Sequence, residues 1–144
     1  MSKKISNFLY IILSFIDSVL LIVLNKSFLI YFSEFYEKSS YKKVKILNKN
    51  INFFTPNQLI KWRVETIFSK EPETIEWINT FEKKKNIFWD IGANIGLYSI
   101  YNSIKNKNST TIAFEPSTNN LRVLSRNISI NKLDNKIKIF TLPL

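Results

Sequence analysis

The chain has almost no glycine: only two of its 144 residues are glycine, and it has neither cysteine nor histidine. The absence of cysteine excludes disulfides and thiol nucleophiles, and the absence of histidine removes imidazole bases and the commonest zinc ligands. We therefore predict no metal site, and any chemistry here rests on carboxylates, lysines, hydroxyls, amides or a bound cofactor. A hydrophobic content of 45% with 15% aromatic residues favours a packed domain over a disordered chain.

Positive charge is in excess, with 21 basic against 11 acidic residues and a net charge of +10. Such a charge attracts nucleic acid or an anionic membrane surface. The lysines are scattered along the sequence, however, and the arginines that make bidentate phosphate contacts are few. Nucleic acid is therefore the less favoured partner.

The longest hydrophobic run covers residues 8–24. Roughly thirteen strongly apolar residues, each contributing about −0.3 to −0.6 kcal/mol to insertion, outweigh Asp17 at about +3 kcal/mol. Two interpretations stay open: contact with a membrane through residues 8–24, or a helix that packs on the domain. More lysines follow the run than precede it, which predicts a cytoplasmic location for the rest of the chain. The run has no alanine, which disfavours a cleavable signal peptide.

The sequence divides into three predicted segments. They are a hydrophobic helical segment (1–40), a hairpin and helical preamble (41–85) and the beginning of an α/β core (86–144). In the preamble, two β-like runs flank a predicted turn at Asn48–Asn50. A helix is predicted over 58–69, and another begins at Pro72 and ends at the lysine run 83–85.

Strands and helices alternate from residue 86 onward, which predicts an α/β fold with a parallel sheet. The predicted elements are strands at 87–91, 110–114 and 137–142, with helices at 95–105 and 118–131. The first strand is a continuous apolar run, which predicts that both of its faces are buried and that Trp89 is a core residue.

Both glycines lie in one heptapeptide, Asp-Ile-Gly-Ala-Asn-Ile-Gly at 90–96, between a predicted strand and a predicted helix. A glycine loop in this position is typical of a nucleotide-type pocket. The dinucleotide fingerprint G-x-G-x-x-G does not fit, because three residues separate Gly92 from Gly96. The D-x-G-x-G-x-G spacing of S-adenosylmethionine enzymes fits, with Asn94 in the middle position. The carboxylate of Asp90 is then placed to accept from the amino group of that cofactor.

Glu115 ends the next predicted strand, about 20 residues beyond the glycine loop, where an acidic residue can accept hydrogen bonds from both ribose hydroxyls. The alternative role for Glu115 alone is a favourable charge near the N-terminus of the following helix. Taken together, Asp90, the loop and Glu115 predict S-adenosyl-L-methionine as the cofactor.

Three segments, 90–99, 113–117 and 124–131, resemble the FkbM family of S-adenosylmethionine-dependent methyltransferases, and the resemblance extends over about 71–144. It implies the N-terminal half of a class I (Rossmann-like) methyltransferase sheet, preceded by the helical and hairpin region. It also implies methyl transfer to an oxygen of a saccharide, glycolipid or small molecule. Two other functions stay open, a nucleic-acid methyltransferase and an inactive, membrane-tethered product.

The resemblance also assigns the site residues. Those expected to line the methionine and ribose side of the cofactor, or to hold its ribose hydroxyls, are Asp90, Gly92, Ala93, Asn94, Gly96 and Glu115. No role in the site is assigned to Arg122, Arg126 or Asn127, and no catalytic base is identified. Because only three of the seven strands of a class I sheet are present, we expect an N-terminal fragment that exposes one apolar edge strand.

Overall fold

The computed structural model describes residues 2–81 and 85–142. Contacts divide the chain into two compact units, Met1–Ser40 and Tyr41–Leu144. The first unit contains helices α1 (Ser2–Leu24) and α2 (Phe28–Ser39). All of Ser2–Leu24 is described, and no residue within it is buried.

The second unit begins with an antiparallel hairpin of β1 (Tyr41–Ile46) and β2 (Lys49–Phe54). The turn falls at positions 47–48, with a positive φ of 53° at Leu47. The prediction that Asn48–Asn50 form the turn is therefore wrong in its register. Lys49 and Asn50 belong to β2, where they pair with the last two residues of β1.

Two short helices follow the hairpin, α3 (Gln58–Glu65) and α4 (Pro72–Asn79). Asn57 caps α3, because its side chain accepts a hydrogen bond from the backbone N–H of Ile60 at 2.9 Å. Helix α3 begins where it was predicted but ends four residues early, since a turn replaces its last part. Proline occupies the first turn of α4, as its fixed φ favours. Two of the lysines predicted to end α4, at 83 and 84, lie outside the described residues.

The rest of the chain alternates between strands and helices. The elements are β3 (Asn86–Ile91), α5 (Leu97–Lys105), β4 (Ser109–Phe114), α6 (Thr118–Ile130) and β5 (Ile137–Phe140). The strands form a parallel sheet in the order β3-β4-β5, with Asp90 opposite Ala113. The predicted α/β fold with a parallel sheet is confirmed.

The two faces of this sheet differ. On one face Phe88 and Ala113 are buried, and α5 packs there. On the other face Ile87, Trp89 and Ile91 are exposed, and 56% of the Trp89 surface is accessible. The predictions that β3 is buried on both faces and that Trp89 is a core residue are therefore wrong. The alternation of side chains along β3 assigns this tryptophan to the open face.

Asparagine side chains of α6 and of its C-cap residue attach the hairpin β1–β2 to the core. The Oδ1 atom of Asn127 accepts from the backbone N–H of Phe54 at 2.8 Å, and its Nδ2 donates to the Ile95 carbonyl at 2.9 Å. The side chain of Asn131 binds both the N–H of Asn52, at 3.0 Å, and its carbonyl, at 2.7 Å. These amides pair with β2 as a neighbouring strand would.

Candidate functional site

The glycine loop is held against the end of β4 in an unusual backbone conformation. Gly92, Asn94 and Gly96 all have positive φ, of 74°, 54° and 83°. Glycine adopts this region without strain, and asparagine is among the few other residues that tolerate it. The backbone N–H groups of Gly92 and Ala93 both donate to the carbonyl of Phe114 at 2.9 Å. The loop therefore has one fixed position at the carboxyl end of the sheet.

The two glycines serve different purposes. A Cβ atom added at Gly96 would lie 2.4 Å from Cδ1 of Leu124, whose side chain is fully buried. A Cβ atom added at Gly92 would meet nothing within 4 Å. Gly96 thus permits close packing of the loop on α6, whereas Gly92 leaves space open beside the loop.

Glu115 faces the glycine loop from the end of β4. Its carboxylate is buried, and it accepts hydrogen bonds from the N–H of Asn94 at 2.7 Å and of Ser117 at 2.8 Å. The two donors bind different oxygens, Oε2 and Oε1, and each carboxylate oxygen can accept a further bond. The two bonds fix the orientation of the carboxylate and leave acceptor capacity on each of its oxygens.

Asp90 has a different environment. Its buried carboxylate accepts a hydrogen bond from the hydroxyl of Ser99 at 2.5 Å, in the first turns of α5. Burial raises the pKa of Asp90, and the negative charge of Glu115 adds to the rise, while the bonds from Ser99 oppose it. The carboxylate therefore ties the strand before the loop to the helix after it.

A cavity of about 230 Å³ opens beside the loop, lined by Gly92, Ala93 and Asn94 on one side. Arg63 and Lys70, from α3 and the turn after it, line the other side. The guanidinium of Arg63 donates to the side-chain oxygen of Asn94 at 2.7 Å. Small-molecule pockets commonly measure about 300–1,000 Å³, so this cavity suits one part of a larger ligand.

The cavity wall also holds a chain of polar groups formed by Lys70, Glu71 and Tyr98. The Lys70 ammonium lies 3.0 Å from the carboxylate of Glu71, and this contact lowers the pKa of Glu71. Burial and the hydrogen bond that Tyr98 donates to Glu71 raise the pKa of the tyrosine, so the phenol is protonated at neutral pH. Cationic, anionic and neutral donor groups thus surround a small volume.

The structure brings most of the predicted site residues together. Gly92, Ala93 and Asn94 line the cavity, and Glu115 lies against the loop. Gly96 acts in packing, and Asp90 bonds to Ser99. Their contacts with a cofactor stay predictions.

Sequence reasoning missed the opposite wall of the cavity, formed by Arg63, Lys70, Glu71 and Tyr98. Glu71 and Tyr98 lie within the range that resembles the FkbM family, 71–144, but the resemblance assigned neither of them a role in the site. Among residues 2–81 and 85–142, no group of three or more histidine, cysteine, aspartate or glutamate residues could hold a metal ion.

No family model and no curated protein matches the chain. A SAM-dependent methyltransferase from Agrobacterium tumefaciens matches at 12% identity with a TM-score of 0.51, over 72% of this chain and 32% of its own. A predicted transferase from Pyrococcus horikoshii matches at 15% identity with a TM-score of 0.50, over 72% of this chain and 37% of its own. A Pyrococcus abyssi tRNA (uracil-54, C5)-methyltransferase bound to S-adenosyl-L-homocysteine matches at 14% identity with a TM-score of 0.45, over 71% and 24%.

At these identities the comparison establishes the fold. The chain spans 32% to 37% of the length of the two structures with the higher TM-scores. A fold comparison at these identities gives no support to the prediction that nucleic acid is a disfavoured partner. The chain has the fold of the N-terminal half of a class I, Rossmann-like methyltransferase sheet, preceded by a helical and hairpin region.

Proposed function

We propose that the chain binds S-adenosyl-L-methionine at the glycine loop as part of a methyltransferase. The observation that carries this proposal is the position of the Glu115 carboxylate directly beside the glycine loop. Its carboxylate is fixed by the N–H of Asn94 and can still accept hydrogen bonds from two ribose hydroxyls. The spacing of Gly92 and Gly96 also favours this cofactor over a dinucleotide.

We propose that the amino-acid end of the cofactor lies in the cavity beside the loop. That end carries a carboxylate and an ammonium group, which call for a cation and an anion on the protein. Arg63 and Lys70 suit the carboxylate, and Glu71 suits the ammonium group. Asp90, which the sequence predicts to accept from this amino group, also holds the loop in place through its bond from Ser99.

The proposed reaction is transfer of a methyl group to an oxygen of a saccharide, glycolipid or small molecule, as in the FkbM family. The sulfonium cofactor, when bound, supplies the methyl group, and the acceptor hydroxyl must lose its proton to a base. The residues assigned above bind and orient. Support for an FkbM assignment comes from the sequences at 90–99 and 113–117.

We also propose that Tyr41–Leu144 works in the cytoplasm. The lysines that follow the apolar run 8–24 outnumber those that precede it, and positive charge near a span favours the cytoplasmic side. Protease protection in inverted membrane vesicles tests this: the unit should be digested without detergent, and protection would contradict the proposal.

Isothermal titration of the full chain in mild detergent tests cofactor binding. S-adenosylmethionine and S-adenosylhomocysteine should bind, and NAD should give no heat of binding. Failure of both sulfur compounds to bind a folded protein would contradict the proposal and favour the inactive product. Tight binding of NAD alone would show that the loop is a dinucleotide-binding site.

A pair of variants locates the binding. Glu115→Gln should weaken binding of S-adenosylhomocysteine at least about tenfold, because charged hydrogen bonds contribute about 1.5–3 kcal/mol. Glu76→Gln, a matched change at an exposed acid of α4, should leave affinity unchanged. Equal affinities of the two variants would show that Glu115 does not hold the cofactor.

The net charge of +10 keeps a nucleic-acid acceptor as the second candidate. A gel-shift assay with tRNA and single-stranded DNA at about 150 mM salt separates the two. No shift supports a saccharide or small-molecule acceptor, whereas a specific shift supports nucleic acid.

A further inference from the structure

The N-terminal unit exposes apolar side chains from both of its helices. In α1, Phe15 is 70% exposed and Ile22 is 84% exposed. In α2, Phe35 is 66% exposed and Tyr31 is 60% exposed. Soluble proteins rarely expose continuous apolar surface on this scale without a partner for it.

One charged side chain, Asp17, interrupts the apolar sequence of α1, and it binds to the beginning of α2. The carboxylate of Asp17 accepts from the backbone N–H groups of Phe28 at 2.7 Å and Leu29 at 3.2 Å. It also accepts from the hydroxyl of Ser27 at 2.9 Å. Ser27 occupies the N-cap position of α2 without making a side-chain cap bond. Asp17 therefore caps α2 from a different helix.

This contact satisfies groups that cannot be left unpaired in lipid. The first N–H groups of a helix have no partner inside that helix, and in hydrocarbon no water replaces one. An isolated carboxylate is disfavoured there for the same reason. The carboxylate of Asp17 and the first N–H groups of α2 therefore satisfy each other, which lowers the free energy of burying both in hydrocarbon.

The size and charge of the unit fit a lipid bilayer. Helix α1 has 23 residues, and an 18-residue stretch within it has a mean hydropathy of 2.3. At about 1.5 Å per residue the helix exceeds the ~30 Å thickness of a hydrocarbon core. Within Ile5–Leu24, Asp17 is the only charged residue. Lys3 and Lys4 precede this stretch and Lys26 follows it, where lysine can contact anionic headgroups.

We propose that Ser2–Ser39 is a helical hairpin that inserts into anionic lipid bilayers as one unit, with Asp17 as the polar contact that keeps α2 against α1. Helix α2 has 12 residues, about 18 Å, which is too short to span. Its tyrosines suit the interfacial region, where amphipathic rings concentrate. The proposal is independent of cofactor binding.

Single cysteine variants test it cleanly, because the chain has no cysteine of its own. An environment-sensitive fluorophore is attached to the full chain at Ile22→Cys in α1, Phe32→Cys in α2 or Asn135→Cys in the second unit. On adding phosphatidylcholine vesicles with 30% phosphatidylglycerol, the first two probes should shift their emission to the blue by at least about 15 nm, a shift expected of a probe that leaves water for hydrocarbon. The third should not move.

Other results would overturn the proposal. A shift at Ile22 alone would mean that α1 enters lipid without α2. Shifts that appear with increasing protein concentration but without vesicles would mean that a second copy covers the apolar surface. No shift at either position would mean that the hairpin does not enter lipid.

Asp17 is tested separately, with Phe32→Cys carrying the probe. Asp17→Leu should at least halve quenching of this probe by lipid-borne quenchers, because α2 loses its cap, whereas Asp17→Asn keeps an acceptor and should restore most of it. Ser18→Leu adds the same side chain to the neighbouring position and should have no effect. Equal quenching in Asp17→Leu and Ser18→Leu would show that Asp17 does not hold α2.

Discussion

The N-terminal hairpin and the α/β unit are both rich in apolar residues, yet only the second has an interior. In the α/β unit Ile100 and Leu124 are completely buried, whereas no residue of α1 is. Buried polar side chains in the α/β unit, such as Asn102 and Asn127, bind to neighbouring strands and loops. In the N-terminal hairpin the side chain that joins the two helices is Asp17. Apolar content alone therefore does not show where a core forms. The hydrogen bonds of buried polar side chains to neighbouring elements are the better indicator.

Matched substitutions of phenylalanine test this difference with the largest expected effect. Phe53→Ala in the α/β unit should lower the free energy of unfolding by about 3–5 kcal/mol, because Phe53 is fully buried. Phe15→Ala in α1 should change it by less than about 0.5 kcal/mol. All three tryptophans lie at positions 62, 77 and 89, so urea unfolding followed by tryptophan fluorescence reports on the α/β unit alone. Equal losses of unfolding free energy in the two variants would contradict the conclusion that only the α/β unit has a packed interior.

The next effect concerns the polar partners of the core. Asn127→Leu should cost about 2–4 kcal/mol, because it leaves the N–H of Phe54 and the carbonyl of Ile95 buried without their partner. Asn119→Leu, an exposed change in the same helix, should stay within about 0.5 kcal/mol. Denaturant midpoints measure both, and a neutral Asn127→Leu would mean that the hairpin β1–β2 is attached by apolar contacts alone.

The glycine loop gives a smaller, graded effect. Gly96→Ala should cost about 2–3 kcal/mol, from left-handed strain plus displacement of Leu124. Gly92→Ala should cost about 1 kcal/mol, because it adds the strain without the contact. Thermal unfolding by circular dichroism ranks the two, and the reverse order would contradict the packing of the loop on α6.

The smallest effect is a dependence on pH. The pKa of Asp90 is raised in the folded state, chiefly by burial, so the folded protein binds this proton more strongly than the unfolded chain. The contribution of Asp90 to stability should therefore fall as pH rises from the ordinary value near 3.8 through the raised folded pKa, and stay low above it. Asp90→Asn should remove this fall. Subtracting its denaturation curve from that of the parent chain between pH 4 and pH 8 isolates the contribution, and a difference that increases with pH would contradict the assignment.

Much of the fold could be predicted from the sequence because strands, helices and turns leave local signals. Apolar runs marked β3 and β4, and Pro72 marked the beginning of α4. The side chains that join distant elements left no such signal. Asn127 lies on a helix without any motif, and its partner Phe54 is 73 residues away. Trp89 was misplaced because a continuous apolar run does not show which face of a strand is covered.

The candidate site likewise contains residues that the sequence predicts and residues that only the structure shows. The loop and Glu115 form one local pattern on adjacent strands, so spacing located them. Arg63 and Lys70 reach the cavity only because the turn after α3 lies beside the loop, and a tertiary contact of this kind has no period or spacing to find. The same holds for Asp17, whose carboxylate appeared to be only an obstacle to membrane insertion until its contact with α2 was known.

The central claim is that the glycine loop holds S-adenosylmethionine, and photo-crosslinking of the full chain with methyl-tritiated cofactor tests it most directly. Trypsin releases residues 86–105 as one peptide, which contains the whole loop. The account predicts that label accumulates in this peptide, that excess S-adenosylhomocysteine removes it and that Glu115→Gln reduces it. Label confined to residues 1–40, or label that S-adenosylhomocysteine does not displace, would contradict the account.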